Sequence, residues 1–208
     1  LLLNCGSSSI KYQVIDADSE EVMASGIIQR IGEESGTLDH KLPGETVHVD
    51  RGFPNHDRAL TYLVRVFGAH GPDLSLIKAV GHRTVHGGSK FGQTTVIDDA
   101  MIEALRELSP LAPLHNPPGI AGIEAARKAL PDIPHVAIFD TAFFSTLPAE
   151  AYTYAIPTEL AAEHGIRKYG FHGTSHSYVS RKVADVLDRP YEELNQIVCH
   201  LGNGASVS

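Results

Sequence analysis

The sequence predicts an α/β protein built on a mixed β-sheet. Strand-like apolar runs precede segments of helical periodicity, and this order of elements is typical of layered α/β proteins. The first two strand-like runs, by contrast, are separated only by the short turn Asn4–Ser9. Because so short a turn joins antiparallel strands, the sheet is expected to combine parallel and antiparallel pairs.

The first part of the chain is predicted to be mostly strands. Residues 32–44 are polar and contain Gly and Pro, so we expect a surface loop there. Asn55 is a candidate N-cap for a helix whose apolar residues follow at helical spacing, at Leu60, Leu63 and Phe67. Alternating or short apolar runs predict strands at 1–3, 10–14, 22–31, 45–51 and 77–81.

The remainder of the chain is predicted to be mostly helical. Strands are expected at 135–139 and 196–201, with one short strand around Tyr152 and Tyr154. A shift in composition near residues 141–148 predicts two domains, 1–145 and 146–208. Helices are predicted at 99–108, 119–130, 158–164 and 174–187, with a proline-rich elbow over 109–118.

Composition excludes several classes of protein. A hydrophobic fraction of 42% and a charged fraction of 20% are values of a globular chain. The net charge of -8 argues against binding to nucleic acid, which requires a basic face. No apolar run approaches the ~18 residues of a membrane helix, so no membrane association is expected. Cys5 and Cys199 lie in apolar runs and are predicted to be buried, reduced thiols, which fits a cytoplasmic protein.

Two turns rich in small residues are candidates for phosphate binding. Asn4–Lys11 offers successive backbone N–H groups that can surround an anion, and Lys11 can add a positive charge. The same segment is also compatible with an ordinary serine-rich hairpin. Gly202–Ser206 repeats the pattern after another buried strand, and two such turns in one chain favour a polyphosphate ligand.

Charged and imidazole side chains near strand ends are further candidates. Arg83 offers a fork for a carboxylate or phosphate, or a structural salt bridge. Asp140 ends a predicted buried strand, where it either faces a ligand crevice or starts a turn. Two His-x-x-x-His pairs, His82/His86 and His172/His176, lack the Glu that a zinc hydrolase places after its first His. A histidine that stabilises phosphate charge is the favoured interpretation.

Six segments, in order along the chain, resemble the motifs of acetate kinases, the acetokinase family. They extend from residue 4 to residue 206 and correspond to the N-terminal half of a typical member. Both ends of the chain look cut, so part of the functional protein is expected to lie outside it. The segments are Asn4–Lys11, Gly81–Gly88, Pro113–Pro118, Phe139–Phe143, Tyr169–His176 and His200–Ser206.

The resemblance implies a fold of the actin, hexokinase and sugar-kinase type (ribonuclease H-like), here a first domain and the start of a second. It implies reversible transfer of a phosphoryl group from ATP to acetate, with Mg²⁺ or Mn²⁺, in a homodimer. The implied catalytic residues are Arg83 (also at the acetate carboxylate), Asp140 (acid/base or metal-bound water) and His172 (transition state), and Asn4 is implied near the metal. The implied nucleotide-binding residues are Ser7, Ser9, Lys11, His200, Leu201, Gly202, Asn203 and Gly204. The implied acyl-pocket walls are Val85, Leu114 and Phe171, with His115 near the transferring group.

Two residues depart from the family pattern. Cys5 stands where Ala is commoner, and Phe144 stands where a polar residue or His is expected.

The alternatives that remain are a propionate or butyrate kinase of the same family and a non-catalytic nucleotide-binding module. A metal-dependent hydrolase is disfavoured by the missing Glu in both histidine pairs.

Overall fold

A computed structural model describes residues 1–202 and 204–208. Asn203, which the resemblance assigns to the nucleotide site, lies outside the described residues. The chain forms two compact units. The first unit comprises Leu1–Thr84 and Thr95–Ala137, and the second comprises 85–94 and 138–208. The predicted division between residues 145 and 146 stays a prediction.

The predicted mixed sheet is confirmed. Within the described residues, eight strands form one sheet in the order β5-β4-β3-β2-β1-β6-β8-β7. The strands β1 to β5 are paired antiparallel, whereas β1 and β6 run parallel. Their bounds are β1 Leu2–Cys5, β2 Ser9–Ile15, β3 Val22–Gln29, β4 Thr37–Leu42, β5 Glu45–Asp50, β6 Val80–Thr84, β7 Thr95–Val96 and β8 His135–Phe139.

Three helices belong to the first unit: α1 His56–His70, α2 Asp99–Glu107 and α3 Asn116–Ala129. The predicted N-cap is confirmed, because Asn55 Oδ1 accepts a hydrogen bond from the N–H of Arg58 at 2.9 Å. The second unit contains α4 Ala149–Tyr152, α5 Thr158–Glu163, α6 Gly173–Leu187 and the hairpin β9 Cys199–Leu201 with β10 Ala205–Val207. None of the helices formed by the described residues has the length and apolarity needed to span a bilayer.

Four predictions were wrong. The expected loop over 32–44 contains β4, because Leu38 and His40 alternate with polar neighbours and are both buried. The expected strand at Tyr152 is instead the end of α4. The third helix begins inside the proline-rich elbow, since prolines in a first helical turn lack only N–H groups that have no helical partner there. Cys199 is exposed.

Tyr12, His40 and Phe67 form the aromatic centre of the first unit. The Tyr12 hydroxyl donates to His40 Nδ1 at 2.7 Å, and His40 Nε2–H donates to the carbonyl of Gly71 at 3.0 Å. Burial lowers the pKa of His40, so a neutral ring satisfies both contacts. The Tyr12 ring covers the backbone of Gly26, where a Cβ would overlap the Tyr12 hydroxyl and the Asp39 carbonyl.

A second buried imidazole contact joins β6 to β8. His135 Nε2–H donates to the carbonyl of Leu130 at 3.0 Å, which leaves Nδ1 as an acceptor. His82 Nε2–H therefore donates to His135 Nδ1, at 2.9 Å. Burial, and then the nearby His135, lower the pKa of His82 to about 3. Two neutral rings thus hold the strand that carries Arg83.

Replacing Gly26 by Ala tests the close packing of Tyr12. We expect Gly26→Ala to lower the free energy of unfolding by about 1–3 kcal/mol, because overpacking forces side chains or backbone to shift. The matched control is Gly68→Ala in α1, where a Cβ meets nothing within 4 Å. That substitution is expected to stabilise the helix by about 0.5–1 kcal/mol. Urea unfolding of both variants measures the difference, and equal effects would contradict the packing argument.

The buried His82 makes stability fall in acid. Unfolded His82 binds a proton below its ordinary pKa of 6.5, whereas folded His82 remains neutral until about 3. Its contribution to stability is therefore complete above pH 6.5 and is lost as pH falls toward 3, by up to about 1.4 kcal/mol per pH unit. His82→Gln keeps an N–H donor without titrating. Unfolding free energies at several pH values should show a flatter slope in this variant, and identical slopes would show that His82 does not titrate as described.

Candidate functional site

A row of polar side chains crosses three adjacent strands of the first unit. The antiparallel register of β1 and β2 places Asn4 opposite Lys11. The parallel register of β1 and β6 pairs Leu3 with His82, so the next residue on each strand is Asn4 and Arg83 respectively. Because paired residues share a face of the sheet, Lys11, Asn4 and Arg83 lie on the face opposite to buried Leu3 and His82. Two cations beside an amide suit an anionic ligand.

The serine-rich turn between β1 and β2 is held by backbone contacts. The N–H of Gly6 donates to the Ser9 carbonyl at 2.8 Å, and His56 Nε2–H donates to the Gly6 carbonyl at 2.8 Å. The N–H of Ile31 donates to the Ser8 carbonyl at 3.0 Å. Ser7 is exposed and Ser9 half-buried. The antiparallel pairing of β1 and β2 around this turn is confirmed, and the role of the turn in phosphate binding stays a prediction.

Asp140 follows β8 and is 1% exposed. Its carbonyl accepts a hydrogen bond from the N–H of Gly173, the first residue of α6, at 2.9 Å. A Cβ at Gly173 would overlap that carbonyl, so the contact requires glycine. The hydroxyl oxygen of Thr141 accepts from the N–H of Gly87 at 3.1 Å. The backbone around Asp140 is therefore fixed from two sides within the second unit.

His172 immediately precedes α6 in a left-handed backbone conformation, with φ of 56°. For a non-glycine residue this conformation costs about 1–2 kcal/mol. Strained backbone persists where the surrounding structure enforces it, and it is frequent at functional sites. The His172 ring stacks on His200, with ring centroids 4.0 Å apart and planes 14° apart. The structure thus brings together two histidines that the sequence assigned to one site.

Hydroxyl groups surround these rings. His172 Nδ1 lies 2.8 Å from Ser206 Oγ, and His200 Nδ1 lies 2.9 Å from Ser175 Oγ. His176 is fully buried, and its Nε2 lies 2.7 Å from the same Ser206 Oγ. Sequence reasoning did not name His176, Ser175 or Ser206 as site residues, although Ser206 lay in a predicted phosphate-binding turn and His176 in a histidine pair. The i, i+4 spacing of His172 and His176 was the available signal, and His176 lies inside α6, within the helix predicted at 174–187.

The remaining predicted site residues divide between the units. In the first unit, Leu114 and His115 are exposed just before α3. In the second unit, Val85 is half-buried, and Phe171 is exposed beside His86, with ring centroids 5.7 Å apart. Leu201, the last residue of β9, and Gly202, which follows it, are exposed, and the Gly202 N–H donates to the Gly204 carbonyl at 3.1 Å. The roles assigned to all of these residues stay predictions.

His86 is a buried histidine of the second unit beside Phe171, one of the residues predicted for the acyl pocket. Its Nδ1 accepts a hydrogen bond from the N–H of Gly88 at 3.0 Å, and its ring meets Tyr169 edge-on at 4.5 Å. Burial lowers the pKa of His86. A neutral ring with its proton on Nε2 fits these contacts.

Comparison with known proteins adds independent observations. A family model described as the acetokinase family matches residues 1–208. The acetate kinase of Thermotoga petrophila is 49% identical over 212 residues, and that of Clavibacter michiganensis subsp. michiganensis is 52% identical over 210 residues. Each alignment covers 100% of this chain and 53% of the relative. The chain therefore spans about half the length of the curated relatives it matches.

Two solved structures share the fold across the whole chain. The crystal structure of Porphyromonas gingivalis acetate kinase matches with a TM-score of 0.92 and 42% identity. A propionate kinase from Francisella tularensis subsp. tularensis matches with a TM-score of 0.91 and 38% identity. Each match covers 100% of this chain and 53% of the solved chain.

Proposed function

The chain belongs to the acetokinase family, and from that premise we propose that the protein transfers the γ-phosphoryl group of ATP reversibly to acetate, giving ADP and acetyl phosphate. The observation that carries the proposal is the row Lys11, Asn4 and Arg83 on one face of the sheet. Phosphoryl transfer needs positioned positive charge and hydrogen-bond donors more than it needs covalent chemistry. Lys11 and Arg83 supply positive charge, and the Asn4 amide, on the strand between them, supplies a hydrogen-bond donor.

Each residue of the proposed site receives one task. Arg83 binds the acetate carboxylate, because its planar guanidinium can donate two parallel hydrogen bonds. Lys11 and the turn at Ser7 and Ser9 bind ATP phosphates, and His172 donates a hydrogen bond to the transferring group. The predicted segment His200 to Gly204, which begins in β9, is the second phosphate-binding segment.

Oxygen donors on this chain fit a magnesium ion. Mg²⁺ prefers oxygen ligands and is usually held by one or two protein groups together with phosphates and water. Asn4 of the first unit and Asp140 of the second are separate candidates for such an oxygen ligand. The described residues include no cluster of three or more His, Cys, Asp or Glu side chains that could hold a metal. When bound, the ion would neutralise phosphate charge. Acetate is already ionised at pH 7, so the reaction does not need a strong base. Asp140 therefore positions the metal ion or a metal-bound water molecule.

Propionate is the second candidate acceptor, because one solved structure with this fold is a propionate kinase. Val85, Leu114 and Phe171 are the proposed walls that contact the acyl chain. One methylene group in an apolar pocket changes specificity by only about 10–200-fold, so both acids are expected to react.

We also propose a homodimer in a reducing cytoplasm, without nucleic-acid partners.

Trapping acyl phosphate with hydroxylamine tests the proposed reaction. The complete gene product containing this chain is incubated with ATP, Mg²⁺ and acetate, propionate or butyrate. Hydroxamate is expected, with acetate giving the highest kcat/KM. A higher value with propionate or butyrate would reassign the acceptor. Binding of ATP with no hydroxamate from any acid would instead indicate a non-catalytic nucleotide-binding module.

Asp140→Asn tests the carboxylate. The substitution keeps the size and removes the charge, so we expect kcat to fall and the Mg²⁺ concentration for half-maximal rate to rise, by about 10–100-fold. The matched control is Asp99→Asn, because the Asp99 side chain is 93% exposed in a surface ion pair with Arg127. Titration of the rate with Mg²⁺ measures both effects. Unchanged kinetics in Asp140→Asn would remove Asp140 from the site.

A further inference from the structure

The Ser206 hydroxyl bridges two histidines of the second unit. His172 Nδ1 lies at 2.8 Å and His176 Nε2 at 2.7 Å from Ser206 Oγ, whereas the Phe171 carbonyl lies farther away, at 3.4 Å. The hydroxyl can also donate to that carbonyl, but the two ring nitrogens are nearer, so we assign the single hydroxyl proton to one of the two rings. The other ring must donate its own N–H to the same oxygen, so the proton positions on the two rings depend on each other.

His176 is held as a neutral ring. It is fully buried, and the ring of Phe144 packs edge-on against it, with centroids 5.6 Å apart. Burial, followed by the nearby His200 and His172, lowers the pKa of His176. Its second nitrogen, Nδ1, lies 2.9 Å from Ser208 Oγ. A neutral imidazole donates at one nitrogen and accepts at the other, so Ser208, His176 and Ser206 form one directional chain.

The chain of hydrogen bonds from Ser208 to His172 can run in two directions. In the first, Ser208 donates to His176 Nδ1, His176 Nε2–H donates to Ser206, and Ser206 donates to His172 Nδ1. His172 then carries its proton on Nε2. In the second, all three hydrogen bonds are reversed, and neutral His172 carries its proton on Nδ1. Both directions contain the same number of hydrogen bonds. The charge near His172 therefore decides which direction is favoured.

We propose that Ser206 is a positioning residue for His172, which orients the ring through Nδ1 and, together with His176, keeps the proton on Nε2 when a phosphoryl group is bound. This inference rests on the proposed function. A phosphoryl oxygen is an acceptor, so it favours the direction in which His172 Nε2 donates. If His172 becomes positively charged, the proton that it gains at Nδ1 comes through Ser206 from His176 Nε2. His176 regains one at Nδ1 from Ser208, and Ser208 takes one from a hydronium ion of the solvent, which leaves water, so protons and charge balance.

Three serine variants of the complete gene product test the bridge. Ser206→Ala removes the hydroxyl, and kcat is expected to fall about 3- to 10-fold, the effect of one lost neutral hydrogen bond. KM for acetate and ATP should change little, because the proposed role of Ser206 is exerted on the His172 ring rather than on a substrate. Ser206→Thr keeps the hydroxyl on a strand that accepts β-branched residues, and it should restore most of the rate. The control is Ser177→Ala in α6, next to His176, which should leave kcat unchanged.

Nitrogen NMR of the imidazole rings tests the same bridge without turnover. With MgATP bound, His172 is expected in a single neutral tautomer with Nε2 protonated, and Ser206→Ala should give a mixture of tautomers. A neutral His172 protonated on Nδ1 in the unsubstituted protein, or an unchanged tautomer and kcat in Ser206→Ala, would overturn the inference. Absence of hydroxamate from the unsubstituted protein would refute the proposed reaction, and the tautomers of His172 would still report on the bridge.

Discussion

The alternation of buried and exposed residues along β1 and β6 is the constraint on which the first unit depends. Leu3 and His82 are each 2% exposed and lie side by side in a parallel pair. The next residues, Asn4 and Arg83, are thereby directed to the opposite face. A shift of either strand by one residue would turn its polar side chain into the core. For Arg83 that shift would move a charged side chain into the core, and burial of a charge costs several kcal/mol. Hydrophobic burial thus fixes the direction of the proposed anion-binding groups.

A different constraint organises the second unit, where backbone segments approach each other too closely for side chains. Gly173 meets the carbonyl of Asp140, and Gly170 lies against the ring of Phe144, so that neither position has room for a Cβ. Between them, His172 adopts its left-handed conformation. Such close contacts leave the segment 170–173 few alternative conformations. Packing on both sides therefore offsets the conformational cost of His172, and it orients the His172 imidazole before a ligand binds.

Local patterns allowed much of this architecture to be predicted from the sequence. The hairpin of β1 and β2 and the cap at Asn55 were predicted because turn chemistry and capping act over a few residues. The family was also identified correctly from short motifs. By contrast, β4 was missed because its buried His40 looks polar until Tyr12 and Gly71 provide hydrogen bonds. The bridge at Ser206 was missed for the same reason, since its partners lie 30 and 34 residues away in the chain.

Hydrogen-bond partners distinguish the histidines of the framework from those of the proposed site. His40, His56 and His135 each donate to a backbone carbonyl, and a carbonyl can only accept, so their tautomers are fixed. The rings of His172, His176 and His200 instead contact serine hydroxyls, which donate or accept equally well. A site in which negative charge moves during the reaction benefits from contacts that can reverse without being broken. A contact that holds the framework benefits from a direction that cannot reverse, because a fixed tautomer is compatible with only one arrangement of the surrounding strands.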